Sequence, residues 1–230
     1  MAHSSLTATS RRGFLGQFAA GAAAIGLSTL IAPLPLEAAE EIRQENSPDA
    51  WFNQIKGKHR MVFDVTTPHD VLPFAWPRVY LLTNEKTGTP EKDCSTVVVL
   101  RHEAIPYAMN DQLWQKYKFG EVFKINDAAT KAPSVRNMFW KPKPGEMKVP
   151  GIGPVAIGIN ELQDSGVMFC VCNMALTVYS AVVAQNMKLD PAAVKNEWMA
   201  GILPKIQVVP SGVWAVDRAQ EHNCSYCFVG

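Results

Sequence analysis

Along the chain, short apolar runs alternate with longer stretches in which apolar residues recur at helical spacing. Arg60 to Thr67, with Met61, Val62, Phe63 and Val65, predicts a first strand. Ser95 to Leu100 is a run rich in β-branched residues, as in a strand covered on both faces. Val167 to Cys172, Ile206 to Val209 and Cys224 to Val229 predict three more strands. Between these runs the pattern is helical. Ser47-Pro48-Asp49 opens a short helix, with Ser as cap and Pro at the first helical position. Val71 to Lys86 predicts a helix closed by Gly88 and confined or kinked by Pro73 and Pro77. Asn110 caps a helix carrying Leu113, Trp114 and Tyr117 and closing near Gly120. Val155 to Gln163 reads as a helix ending at Gly166, with Gly151-Ile152-Gly153-Pro154 as a turn that places Pro at its start. Asn173 to Met187 is helical, Asp190-Pro191 opens a helix through Trp198, and Ser211 caps one through His222. Residues 124–150, rich in Lys, Asn and Pro, predict a long surface excursion, a feature usually reserved for function or an interface.

Strands alternating with helices predict an α/β fold of three layers, with a mostly parallel sheet of about five strands. Such folds place their sites at the carboxyl ends of the strands. Those ends are Thr66-Thr67, Arg101-His102, Cys172-Asn173 and Pro210-Ser211. Trp51, Trp76, Trp114 and Trp198 lie on helical patterns and fit core or subunit contacts better than a stacking platform.

The amino-terminal region stands apart. Arg11-Arg12 precedes a stretch without charge from Gly13 to Leu36, and small residues follow at Ala38-Ala39. This is the pattern of a twin-arginine signal peptide over residues 1–39, and it places the remaining single domain, 40–230, in the periplasm. An uncleaved anchor is the alternative, although Gly16, Gly21, Gly26, Pro33 and Pro35 make a poor membrane helix. After processing, no stable membrane span is expected. Removing Arg11, Arg12 and Glu37 from the 22 basic and 21 acidic residues leaves 20 of each. This balance, with no basic stripe, argues against nucleic acid and favours small molecules or proteins as partners.

The chain has five cysteines: Cys94, Cys170, Cys172, Cys224 and Cys227. In an oxidising compartment an odd number leaves at least one thiol without a partner in the monomer. Cys172 is the leading candidate, because it ends a buried strand directly before a helix. Helix amino termini favour thiolate over thiol, and the thiolate attacks sulfur, carries a persulfide or binds a soft metal. The competing reading is a small core residue, and Cys170, deeper in the apolar run, fits that reading better. His102 ends the second strand and is a candidate metal ligand, acid, base or polarising cation; Arg101 and Glu103 flank it, and either could face the site. Cys224 and Cys227 have the spacing of half a zinc site, yet residues three apart on a strand point to opposite faces. A disulfide of one of them with Cys94 is another use. No phosphate-binding glycine loop, HExxH or GxSxG is present.

Val97-Val98-Val99-Leu100-Arg101-His102 and Phe169-Cys170-Val171-Cys172-Asn173-Met174-Ala175 resemble the DsrE/DsrF-like superfamily. Leu203-Pro204 and the stretch Val209-Pro210-Ser211-Gly212-Val213-Trp214-Ala215-Val216-Asp217-Arg218-Ala219-Gln220 resemble its exported branch with twin-arginine signals. The resemblance runs over roughly residues 60 to 230. It implies a three-layer fold with a parallel sheet, assembled as a homo-oligomer (trimers or hexamers), and a persulfide on a cysteine just after a central strand. Cys172 occupies the matching place.

The functional expectation is an exported, thiol-dependent sulfur (persulfide) carrier or sulfurtransferase-like protein acting through Cys172, with His102 polarising the site. Its partners would be small sulfur species or a sulfur-donor protein. Two alternatives stand beside it. One is a periplasmic metal- or cofactor-binding protein using His102, Cys172 and Cys227, with thiolate and imidazole suited to Cu(I) or Zn²⁺. The other is a non-catalytic subunit of an oligomer. The sequence names no cofactor.

Overall fold

The strand Cys94–Leu100 is buried at all seven positions, so it must be covered on both faces and flanked on both edges. The computed structural model describes residues 48–149 and 151–230, which fall within one compact unit, Asn46–Gly230. The signal segment expected over residues 1–39 lies outside the described residues. In chain order the elements are α1 (Pro48–Trp51), β1 (His59–Val65), α2 (Leu72–Lys86), β2 (Cys94–Leu100), a 3-10 segment (His102–Ala108), α3 (Asp111–Lys116) and α4 (Phe119–Val122). Then follow β3 (Lys148–Val149), β4 (Gly153–Pro154), α5 (Ile159–Asp164), β5 (Met168–Cys172), α6 (Asn173–Met187), α7 (Pro191–Ala200), β6 (Ile206–Val209), α8 (Gly212–Glu221) and β7 (Ser225–Val229). Among the described residues no helix is long and apolar enough to cross a membrane.

Five strands form one parallel sheet in the order β6-β5-β2-β1-β7, and β3 and β4 make a separate hairpin. The fold is therefore the α/β architecture that alternation predicts, flanked by helices on both faces. On one face Ala215 and Ala219 of α8, with Phe52 and Ile55, pack on Val62, Val97, Val99 and Cys170. On the other face a chain of aromatic rings does the covering. Phe74 of α2 meets Phe139 at 4.2 Å between centroids and Phe169 of β5 at 6.4 Å. The chain continues through Tyr107 and Trp114 to Phe119, which meets Trp198 of α7 at 4.9 Å. Phe123 joins it to Tyr179 of α6 at 5.1 Å.

This partition of helices has a topological consequence. The connection leaving β5 passes through α6 and α7 to the aromatic face, whereas the connection leaving β6 passes through α8 to the opposite face. Neighbouring strands whose connections diverge in this way open a crevice at their carboxyl ends. The carboxyl ends where the connections diverge are Cys172, at the end of β5, and Ser211, just after β6.

Three caps read from the sequence hold in detail, while Ser47, expected to cap the first helix, lies outside the described residues. Asn110 accepts from the Leu113 N–H at 3.1 Å, Asp190 from Ala193 at 2.7 Å and Ser211 from Trp214 at 3.2 Å. Two expectations fail locally. The helix expected from Val155 starts only at Ile159, because the Glu161 carboxylate takes the Gly158 N–H at 2.8 Å and fixes the start there. Gly153 and Pro154 therefore belong to the β3–β4 hairpin and not to a helix start. Gly120 does not close the helix begun at Asp111. A second short helix, α4, includes it, and the Ser134 backbone packs so closely that no side chain fits there.

The 124–150 excursion is only partly a surface feature. Asn137 is 0% exposed, and its amide donates to the carbonyls of Tyr107 at 2.8 Å and Met109 at 3.1 Å. Phe139 is 1% exposed among Phe74 and Tyr107. Ile125, Ser134, Met138 and Met147 are buried as well, and a polar composition concealed this because a few buried residues are enough to anchor a long loop. Phe139→Ala should lower unfolding free energy by about 3–5 kcal/mol, and Asn137→Ala by about 1–3 kcal/mol. Urea denaturation checks both, and values within about 0.5 kcal/mol of wild type would restore the surface-loop reading.

Candidate functional site

At the carboxyl edge the strand ends bring together side chains far apart in sequence. Asp64, one residue before the end of β1, is only 2% exposed. A buried carboxylate requires a cation and satisfied oxygens. Arg101, the residue after β2, supplies both through a two-pronged contact: Nε to Oδ1 at 2.6 Å and Nη2 to Oδ2 at 2.9 Å. The Tyr226 hydroxyl of β7 donates to the same Oδ2 at 2.8 Å. Strand register explains the meeting, since Asp64 stands opposite Val99 in β2 and Phe228 in β7. The side chains two residues on from Val99 and two before Phe228 therefore share its face.

Arg101 is held along its length as well as at its tip. A β-carbon on Gly212, the first residue of α8, would lie 2.5 Å from the Arg101 Cβ. Glycine at this position lets the stem run against the helix start. The Arg101 pKa is pushed up, chiefly by hydrogen bonding to Asp64, with the fields of Asp64, Tyr226 and Cys172 adding to it against partial burial. Cys172 thus stands within electrostatic reach of the guanidinium. Burial, and then the bond to Asp64, push the Tyr226 hydroxyl up.

Cys172 is the N-cap residue of α6, and its Sγ accepts the Ala175 N–H at 3.3 Å. Its side chain fills a place that Ser, Thr, Asp or Asn usually takes, because those oxygens satisfy the unpaired donors of the first turn. Cys172 is 6% exposed. Beside it, the Asn173 Oδ1 is buried and has no hydrogen-bond partner, leaving an acceptor open for an N–H, O–H or S–H group. Neither the carboxylate of Asp64 nor this amide is evident in the sequence; an acidic residue inside an otherwise apolar strand was the one visible signal.

His102 stands elsewhere. Its backbone is left-handed, with φ 52°, as the chain turns from β2 into the 3-10 segment. Its Nδ1 shares a 2.5 Å hydrogen bond with the Tyr179 hydroxyl. Tyr179 lies seven residues beyond Cys172 on α6, roughly 10 Å along the helix. Arg101, two residues on from Val99, shares the face of Cys172, two residues on from Val99's register partner Cys170, whereas the His102 ring turns to Tyr179. Burial, and then the field of Glu103, push the Tyr179 hydroxyl up. Among the described residues no group of three or more His, Cys, Asp or Glu could hold a metal ion.

All five cysteines are free. Cys170 is fully buried, and desolvation followed by the neighbouring Cys172 pushes its thiol well up. Cys224 packs in the α8-side core, and desolvation pushes it up to about 11. Cys227, opposite Phe63, belongs to the other face, so the pair does not share a site. A disulfide from Cys94 to Cys224 is also out of reach. Cys94 stands opposite His59 and Ser225 opposite Met61, with β1 between them. Two strand spacings separate them, roughly 9.6 Å, beyond the about 7 Å limit for bridging.

Two cavities lie at the opposite, amino edge of the sheet. One of about 660 Å³ is walled by Lys56, Lys58, Lys92, Asp93 and Ser95. A smaller one of about 390 Å³ adjoins it at Gln54, Gly166 and Met168. The first mixes charges of both signs and the second has Lys205 as its one charged wall residue, so neither selects a ligand class.

Native protein treated with iodoacetamide at pH 9 should be labelled at Cys227 and spared at Cys170, as peptide mass mapping would show; labelled Cys170 would contradict its burial. Arg101→Ala should destabilise the fold by about 3–5 kcal/mol, because it leaves a buried carboxylate without its cation. The double variant Asp64→Asn/Arg101→Ala should recover part of that loss in the same denaturation assay.

No family model and no curated protein matches the chain. Among solved structures, it is similar to a protein of unknown function from Methanobacterium thermoautotrophicum, at 14% identity and a TM-score of 0.38. That match covers 75% of this chain and 100% of the archaeal one.

Proposed function

We propose that the protein is an exported sulfur carrier, or sulfurtransferase-like protein, that holds a persulfide on Cys172. The observation that carries the reading is the position of the sulfur. It caps α6 with a backbone N–H on it, lies at the carboxyl end of β5, and stands beside Arg101, which follows Leu100 as Cys172 follows its register partner Val171. A backbone donor and a cation are the surroundings in which a thiolate is stabilised. In the loading step the Cys172 thiolate attacks the outer sulfur of a donor. A new S–S bond forms, the donor's S–S bond breaks, and the leaving group departs with the electron pair. Unloading repeats the exchange with an acceptor thiolate. The resemblance to the DsrE/DsrF-like superfamily supports this reading and brings with it a homo-oligomer, twin-arginine export to the periplasm, and small sulfur species or a sulfur-donor protein as partners. Arg101 takes the polarising role that the sequence suggested for His102.

A second reading has one observation behind it. A cysteine 6% exposed can simply pack, in which case the assembled surface is the function. Incubation with polysulfide separates the two. Intact-mass and peptide spectra should show added sulfur atoms on Cys172 in the wild type and none in Cys172→Ser. Absence of adducts, or an identical pattern in the variant, would favour the packed cysteine.

A further inference from the structure

We propose that Arg101 is the specificity-determining residue of the Cys172 site, selecting sulfur donors that carry negative charge next to the transferable sulfur over neutral disulfides and trisulfides. This rests on the reading of Cys172 as the reacting thiol.

The argument begins with the direction of the ion pair. Asp64 is 2% exposed, whereas the Arg101 side chain is 26% exposed. The negative end of the pair points into the sheet, and the positive end points outward at the carboxyl edge. Nε and Nη2 are both committed to Asp64. Nη1 is the remaining donor group, with no protein acceptor among the described residues. A guanidinium held by two bonds cannot swing away, and the Tyr226 hydroxyl on Oδ2 and Gly212 beside the stem narrow its freedom further. The result is a fixed donor fork, geometrically suited to a planar or tetrahedral oxyanion, where a lysine would offer only a mobile point charge.

The reaction makes use of such a donor. With thiosulfate, the Cys172 thiolate attacks the outer sulfur. The Cys172 S–S bond forms as the bond to the sulfonate sulfur breaks, and sulfite leaves with the electron pair. Three negative charges are present before and after, and charge moves onto the leaving oxyanion during the step. A donor at Nη1 that bonds this group gains as the charge grows. A neutral trisulfide offers that donor no acceptor, and a polar group left unpaired on binding discriminates more sharply than lost apolar contact does.

Two alkylating probes of similar size read this selectivity without sulfur chemistry. Iodoacetate is an anion and iodoacetamide is neutral, and both react with the same thiolate. Their rate ratio at Cys172 therefore cancels any change in how much thiolate is present. In the mature chain the ratio should fall about tenfold in Arg101→Gln, with Arg101→Lys in between. Because Arg101→Gln leaves Asp64 buried without its cation, Asp64→Asn/Arg101→Gln provides a second, charge-balanced background and should show the same fall. Transfer from thiosulfate should drop in parallel, while transfer from a neutral organic trisulfide should not. An unchanged ratio in both backgrounds overturns the role of Arg101 even if Cys172 reacts. Labelling that is the same in Cys172→Ser shows instead that Cys172 is not the reacting thiol, and both readings then fall together.

Discussion

A carboxylate buried in a β-sheet is the constraint around which this molecule's carboxyl edge is organised. A carboxylate at 2% exposure needs a cation and satisfied oxygens, and Arg101 is bound to Asp64 through two nitrogens. Meeting that demand dictates much else. The backbone must end β2 one residue before Arg101, α8 must begin with glycine so that the arginine stem can pass, and β7 must return to the far side of β1 so that Tyr226 can reach the second oxygen. Ion pairs of this kind contribute little net stability against apolar replacements, but losing one partner is costly. Such a pair therefore specifies an arrangement more than it strengthens one.

That arrangement sits beside the topological switch. The helices after β5 and β6 depart to opposite faces, so the ends of these strands are not roofed by a common connection. Cys172 lies at the end of β5, and the start of α8 lies against the stem of the neighbouring Arg101. The partial positive charge of the α6 amino terminus and the guanidinium of Arg101 act on the same sulfur from two directions. Cys170, two residues back in an apolar layer, caps no helix, and desolvation followed by the neighbouring Cys172 pushes its thiol up. The amino edge, with its two cavities, has no comparable convergence of donors on a nucleophile.

The aromatic face does a different job. Rings from α2, the 3-10 segment, α3, α4, α6, α7 and the 124–150 excursion interlock in one continuous layer. This layer holds α6 in position from behind, and the His102–Tyr179 bond ties the end of β2 to it. The orientation of Cys172 is consequently set by packing remote from the sulfur itself.

The sequence by itself determined the strands, nearly all the helices and the position of Cys172 ahead of a helix, because apolar period, caps such as Asp190 and Ser211, and turn residues all act over a few positions. The missed start of α5 and the buried Asn137 mark the limit of such signals: a carboxylate three residues on, or two carbonyls nearly thirty residues away, outweighed local pattern. Only the tertiary structure decided which strand-end residue faces the sulfur. Asp64 is 37 residues from Arg101 and 162 from Tyr226, separations across which no local pattern carries information. Strand order places β1 between Cys94 and Cys224 and so forbids their bridge, while the same order brings an acid, an arginine and a tyrosine to one edge. Contacts of that range follow from how the whole sheet closes, since parallel neighbours are joined by crossovers whose path is set by packing on both faces.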